Sequence, residues 1–305
     1  MNFLKLIRYK NLILILFTQC LIHQGFLGGL GIPVALSHFD FYLLVSATIF
    51  LAAAGYIIND IYDIEIDRIN KPDKSFIPKI FSEKQAFNFY FILNILGVGL
   101  GFYLSYSMNL SGFALIFVLI SALLYVYASF LKRIVLIGNL LISALVASSI
   151  FIIIPFDLLP ILDRYPNELA NPISVLRDYA VFAFILNFLR EIIKDIEDLQ
   201  GDYNNGIQSL PILLGRGRTS KIVAVLGIIS IFILISYIYK YTYTNVLISG
   251  YLLFVIGGSL LYFSIKAWSA DSKKNFAHLS FILKIIMLLG IFSLAVLTLS
   301  IKYAT

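Results

Sequence analysis

The chain has 305 residues, 60% of them apolar and only 13% charged, against about 45–50% and about 25% in soluble domains, which excludes a water-soluble globular class. No Pro/Gly/Ser-rich linker or long polar stretch divides it, so residues 1–305 read as a single domain. The net charge of +6 needs no nucleic acid, for which no binding motif occurs; topology and attraction to anionic membrane lipids account for it.

The N-terminus is basic at Lys5, Arg8 and Lys10 and then apolar past Leu30 without a small-x-small cleavage site, which favours a first membrane helix over a signal peptide. A span needs about 20 mainly apolar residues. Nine stretches approach that length, near 11 to 36, 41 to 59, 86 to 107, 110 to 130, 135 to 156, 174 to 193, 222 to 240, 245 to 267 and 279 to 301. The expected fold class is all-α and polytopic, with about nine transmembrane helices and the termini on opposite faces. Cys20, the single cysteine, lies in the first run and reads as a small core residue.

The second span runs into Asn59-Asp60-Ile61-Tyr62-Asp63-Ile64-Glu65-Ile66-Asp67-Arg68-Ile69-Asn70-Lys71-Pro72. The sixth runs into Arg190-Glu191-Ile192-Ile193-Lys194-Asp195-Ile196-Glu197-Asp198-Leu199-Gln200-Gly201-Asp202. Asp60, Asp63 and Asp67 share their i, i+3, i+7 offsets with Asp195, Asp198 and Asp202, and on a helix that spacing puts three carboxylates on one face. Like charges so placed repel, and desolvation near a bilayer adds to the cost. Mg²⁺ is the natural compensation, since it takes carboxylate, phosphate and water oxygens together. Asn59 adds an amide oxygen or positions a ligand. A competing reading makes the aspartates solvated loop charges paired with Arg68, Lys71, Arg190 and Lys194; two copies with identical offsets weigh against it.

Between and after the motifs, Tyr127 precedes Lys132 and Arg133 by one and a half helical turns. His23, His38 and His278 lie far apart without metal-ligand spacing, and Trp268 reads as an interface anchor. With nine spans, 19 of the 23 Lys and Arg fall on the N-terminal side and Arg164, Arg177, Lys240 and Lys302 fall opposite. By the positive-inside rule the N-terminus and both acidic motifs are expected to be cytoplasmic. Arg68, Lys71, Lys74, Lys132, Arg133, Arg190 and Lys194 share that face.

The sequences Asn59-Asp60-x-x-Asp63-x-x-x-Asp67 and Asp198-x-x-x-Asp202 resemble the two signature motifs of the UbiA superfamily of intramembrane prenyltransferases. The resemblance extends to the nine-span pattern, to Asp67-Arg68-x-Asn70-Lys71-Pro72, to Gly206-Ile207-x-Ser209-Leu210-Pro211, and to Lys132-Arg133 followed by Gly138-Asn139. It implies a helical bundle around a central cavity in a bacterial or archaeal cell membrane. It also implies Mg²⁺ at Asn59, Asp60, Asp63, Asp67, Asp195, Asp198 and Asp202, with Asp63, Asp67, Asp198 and Asp202 central to catalysis. A polyprenyl diphosphate donor is expected at Arg68, Lys71, Lys74, Tyr127, Lys132, Arg133, Arg190 and Lys194. Metal and basic residues stabilise the charge that develops on the leaving diphosphate, while an apolar cavity with aromatic faces protects the carbocation from water.

Many relatives carry an arginine in the Pro-x-Arg-Pro continuation where this chain has Lys74, a point charge without the bidentate fork of arginine. The Arg190 to Asp202 stretch is closer to digeranylgeranylglyceryl phosphate synthase-like and chlorophyll synthase-like members than to the 4-hydroxybenzoate branch. A prenylated glycerol phosphate is therefore the expected lipid acceptor, with an aromatic acceptor of quinone biosynthesis as the alternative. A transporter is the different-class reading, since intramembrane charges also mark ion paths. Transporter sites lie near the midplane at broken helices, whereas both acidic motifs here sit at span ends. A non-catalytic scaffold is the remaining alternative.

Overall fold

The structure, a computed structural model, describes residues 2–70 and 76–303. Lys71 and Lys74, assigned above to the donor, lie outside the described residues. Among those described, nine helices are long and apolar enough to cross a membrane: α1 Tyr9–Leu30, α2 His38–Tyr62, α3 Glu83–Ser107, α4 Ser111–Ser129, α5 Ile137–Ile161, α6 Pro166–Asn204, α7 Arg216–Thr242, α8 Val246–Trp268 and α9 Lys273–Lys302. No strand occurs among the described residues, so backbone polar groups are satisfied within helices, as a hydrocarbon surrounding demands. Large side chains such as Ile95, Tyr106 and Phe254 are at least 70% exposed on these helices, an arrangement that lipid tolerates and water does not.

Helices α1 and α6 depart from expectation. The first span stops at Leu30 rather than near residue 36, because Gly31 takes a left-handed conformation at φ 66° and Pro33 follows it. Helix α6 has 39 residues instead of the expected 174 to 193, and at 1.5 Å per residue it is about 58 Å long, roughly twice the hydrocarbon thickness. Its acidic C-terminal third is polar helix beyond the apolar run.

The chain divides into two compact units. One comprises Met1–Gln19, Val34–Arg164 and Gln200–Ile207, and the other Cys20–Pro33, Tyr165–Leu199 and Gln208–Thr305. In the first, α2 lies along α3, and α4 packs on both. Small residues permit the approach: a Cβ at Gly101 would stand 2.2 Å from Phe117 Cγ, and one at Gly97 2.8 Å from Leu51 Cγ. Serine caps start α2 and α3, where Ser37 accepts from the Asp40 amide and Ser82 forms a capping box with Gln85. In the second unit α7 packs along α8, with Gly227 against Ser264 and the Ser220 hydroxyl donating to the Ala267 carbonyl at 2.6 Å.

Candidate active site

The first acidic motif lies wholly in the first unit. Helix α2 ends at Tyr62, and Asp63 leaves helical geometry at φ −98°, ψ 7° while its amide still donates to the Asn59 carbonyl at 2.9 Å. The chain resumes at once as a short helix, Ile64–Asn70, whose Asp67 amide donates to the Asp63 carbonyl at 2.7 Å. Asn59 and Asp60 therefore occupy the last turn of α2, Asp63 the junction, and Asp67 the short helix. The run expected as one helix is interrupted at this single residue, where the Asp63 carboxylate has two side-chain partners.

Those partners are Asn59 and Lys132. Asn59 Nδ2 donates to Asp63 Oδ2 at 2.6 Å, and Lys132 Nζ to Asp63 Oδ1 at 2.5 Å. The Lys132 side chain is 8% exposed and that of Asp63 17%, so this pair is far less screened than a surface ion pair. Lys132 sits in the tight turn Leu131–Arg133 after α4, directly under the start of α5. Gly138 makes that closeness possible, since a Cβ there would stand 2.8 Å from Lys132 Cα. Arg133 and Arg68 are exposed. Tyr127 is half-buried against the apolar cluster that contains Ile57, Ile58 and Ile61. Beside it the Tyr62 and Tyr125 hydroxyls meet at 3.0 Å.

Arg8 meets the first acidic motif, a contact that sequence reasoning missed. Leu6 is fully buried in the same apolar cluster, and the chain then bends at Arg8, which adopts φ 52°. The bend brings Arg8 NH2 to Asp60 Oδ1 at 2.6 Å and sets its guanidinium over the Tyr56 ring, 4.9 Å from the centroid. Withdrawal from water acts to lower the Arg8 pKa, but the Asp60 carboxylate and the Tyr56 oxygen outweigh it and raise the pKa above the ordinary value. Fifty-two positions separate Arg8 from Asp60, and a basic N-terminus is expected of a membrane protein in any case, so no sequence signal marks the contact.

In the second unit, Arg190, Lys194, Asp195 and Asp198 follow one another on unbroken α6 helix, where the stripe spacing holds as expected. Glu191, to which sequence gave no role, is the hub here. It is 9% exposed and accepts from Lys194 Nζ at 2.8 and 3.1 Å and from Arg190 NH1 at 3.3 Å. Asp202, at the end of α6, belongs to the first unit and is 8% exposed. Among the described residues no three His, Cys, Asp or Glu side chains form a ready-made metal cluster. The donor set still fits Mg²⁺, which needs hard oxygens and leaves much of its octahedron to phosphate and water.

A family model described as the UbiA prenyltransferase family matches residues 26–288. The chain belongs to this family. It is 33% identical over 211 residues, 68% of this chain and 70% of the relative, to the digeranylgeranylglyceryl phosphate synthase of Thermococcus gammatolerans. A solved structure concerning digeranylgeranylglyceryl phosphate synthase in membranes aligns over 99% of this chain and 98% of its own, with 26% identity and a TM-score of 0.64. A UbiA homolog from Archaeoglobus fulgidus, solved with DMAPP and Mg²⁺, covers 97% and 99% of the two chains at 14% identity and a TM-score of 0.57 and shares the fold. As a UbiA protein with nine apolar helices among its described residues, this chain is an integral membrane prenyltransferase.

Proposed function

We propose that this UbiA protein transfers a polyprenyl group, of the geranylgeranyl kind, from its diphosphate to a prenylglycerol phosphate, using Mg²⁺. The observation that carries the reading is the part-buried ion pair of Lys132 with Asp63 of the first acidic motif, in a chain whose curated archaeal relatives are synthases of this kind. We take residues 1–305 to act as one domain, because no Pro/Gly/Ser-rich linker or long polar stretch divides the sequence.

In this proposal Asn59, Asp60, Asp63, Asp67, Asp195, Asp198 and Asp202 hold the metal. When bound, Mg²⁺ supplies positive charge to the diphosphate oxygens. Lys132 and Arg8 already sit on Asp63 and Asp60, where each can shift its hydrogen bonds to a diphosphate oxygen. Arg190 and Lys194, gathered by Glu191, add cations in the second unit. The allylic carbon–oxygen bond breaks with its electron pair leaving on diphosphate, and a glycerol hydroxyl oxygen bonds the freed carbon and sheds its proton. Apolar side chains exclude water from the cation meanwhile, and Tyr127 offers it an aromatic face.

The test is purified protein with prenyl diphosphates of several lengths against glycerophosphate, hydroxybenzoate and naphthoate acceptors, with products identified by mass. A prenylated glycerol phosphate is the expected product; a prenylated hydroxybenzoate or naphthoate instead would replace the acceptor assignment. Asp63→Ala and Asp198→Ala should each cut turnover at least about 100-fold, as loss of transition-state charge stabilisation does. EDTA should abolish turnover and Mg²⁺ restore it. Wild-type rates in either variant, or after thorough chelation, would remove these carboxylates from the mechanism.

A further inference from the structure

We infer that Asn70 is a positioning residue that fixes Asp67 relative to Asp202, and that Gly201 is the socket shaped for it. The inference rests on the prenyltransferase reading, in which those two aspartates serve one metal–diphosphate chemistry. Asn70 is the last residue of the short helix Ile64–Asn70, one helical turn beyond Asp67, and Gly201 immediately precedes Asp202. Both lie in the first compact unit.

Two features describe the contact. The Gly201 amide donates to Asn70 Oδ1 at 2.9 Å in a buried setting, with Asn70 only 8% exposed. A Cβ at Gly201 would meet Asn70 Nδ2 at 2.4 Å, Cγ at 2.6 Å and Oδ1 at 2.7 Å. No real Cβ tolerates such distances, so the side-chain amide fills the space that any residue other than glycine would occupy. The hydrogen bond crosses 131 positions of sequence, and it joins the tail of one acidic motif to the last turn of the other. Through this bond the Asn70 side-chain amide holds backbone. What it sets is the distance between two carboxylates, to which octahedral Mg²⁺ is sensitive because the ion demands near-ideal geometry.

A double-mutant cycle on the full-length protein in detergent tests this, using wild type, Asn70→Ala, Gly201→Ala and the double variant. Three quantities are read: Mg²⁺ concentration for half-maximal turnover, Mn²⁺ binding in the presence of inorganic diphosphate by the loss of free-ion paramagnetic signal, and melting temperature. Asn70→Ala should raise both metal constants about tenfold, the scale of one buried hydrogen bond lost, while the KM for donor at saturating metal changes little. Gly201→Ala should do the same by displacing Asn70. The double variant should be no worse than Asn70→Ala, because the new methyl then enters vacated space; contacting pairs couple in this way. Additive losses overturn the inference, as does a lowered melting temperature with unchanged Mn²⁺ binding. Wild-type protein that neither binds Mn²⁺ with diphosphate nor responds to Mg²⁺ would overturn the metal–diphosphate role proposed for the aspartates themselves.

Discussion

Asp63 spends one carboxylate oxygen on Asn59 and the other on Lys132, so both are committed before any substrate arrives. Lys132→Met keeps much of the side-chain volume and removes the charge, which strands a carboxylate that is 17% exposed. In EDTA this variant should melt a few degrees lower, for a loss of about 1–3 kcal/mol. In Mg²⁺ the deficit should shrink, because a bound cation supplies the missing counter-charge. An equal deficit in both buffers would argue that Asp63 binds no metal. Single residues were also where sequence was least informative. The place of Asp63 in the acidic stripe was legible from spacing, whereas the contact of Arg8 and the burial of Glu191 were not, since each depends on the fold rather than on a pattern. Arg8 in addition holds a left-handed backbone conformation that costs a non-glycine residue about 1–2 kcal/mol, and its ion pair and the burial of Leu6 offset this.

Helices α2, α3 and α4 pack through glycines, and lipid supplies no hydrophobic drive to force them together, so close contact itself must stabilise the association. Gly101→Ala places a methyl 2.2 Å from the fully buried Phe117 ring and should cost about 1–3 kcal/mol, as overpacking does. Gly99→Ala, two residues away, meets no atom within 4 Å and should be neutral or slightly stabilising in the same detergent melt. Equal effects at both positions would mean that helix propensity, not packing, decides. The existence of these elements was legible, because an apolar run long enough to span a bilayer has few other uses. Their ends were less so. Hydropathy registers the bilayer and not the helix, so it missed the polar continuation of α6 to Asn204 and overran the stop at Gly31. The helix break at Asp63 was invisible for a related reason, since it depends on one residue's backbone torsions and not on side-chain type.

Across the whole molecule the strongest regularity is charge, with 19 of 23 Lys and Arg assigned to one face once nine spans are counted. That count came from apolar runs, and the nine long apolar helices among the described residues agree with it. The charge bias is a separate physical signal, set during insertion rather than by packing. Together they predict that the N-terminus and the connection from α2 to α3 are cytoplasmic, and that the connection from α5 to α6 lies outside. Lys79 and Asn167 are exposed reporters for the two connections. With Cys20 first replaced to remove background, Lys79→Cys should resist an impermeant thiol reagent in intact cells, and Asn167→Cys should react. Permeabilised cells should label both, which controls for local accessibility. The reverse pattern would invert the protein in its membrane. Equal labelling of both sites in intact cells would break the odd-span parity, because three crossings separate the two connections. The second acidic motif follows one further crossing, so that result would also withdraw the basis for placing it on the same face as the first, where soluble diphosphate and Mg²⁺ are available together.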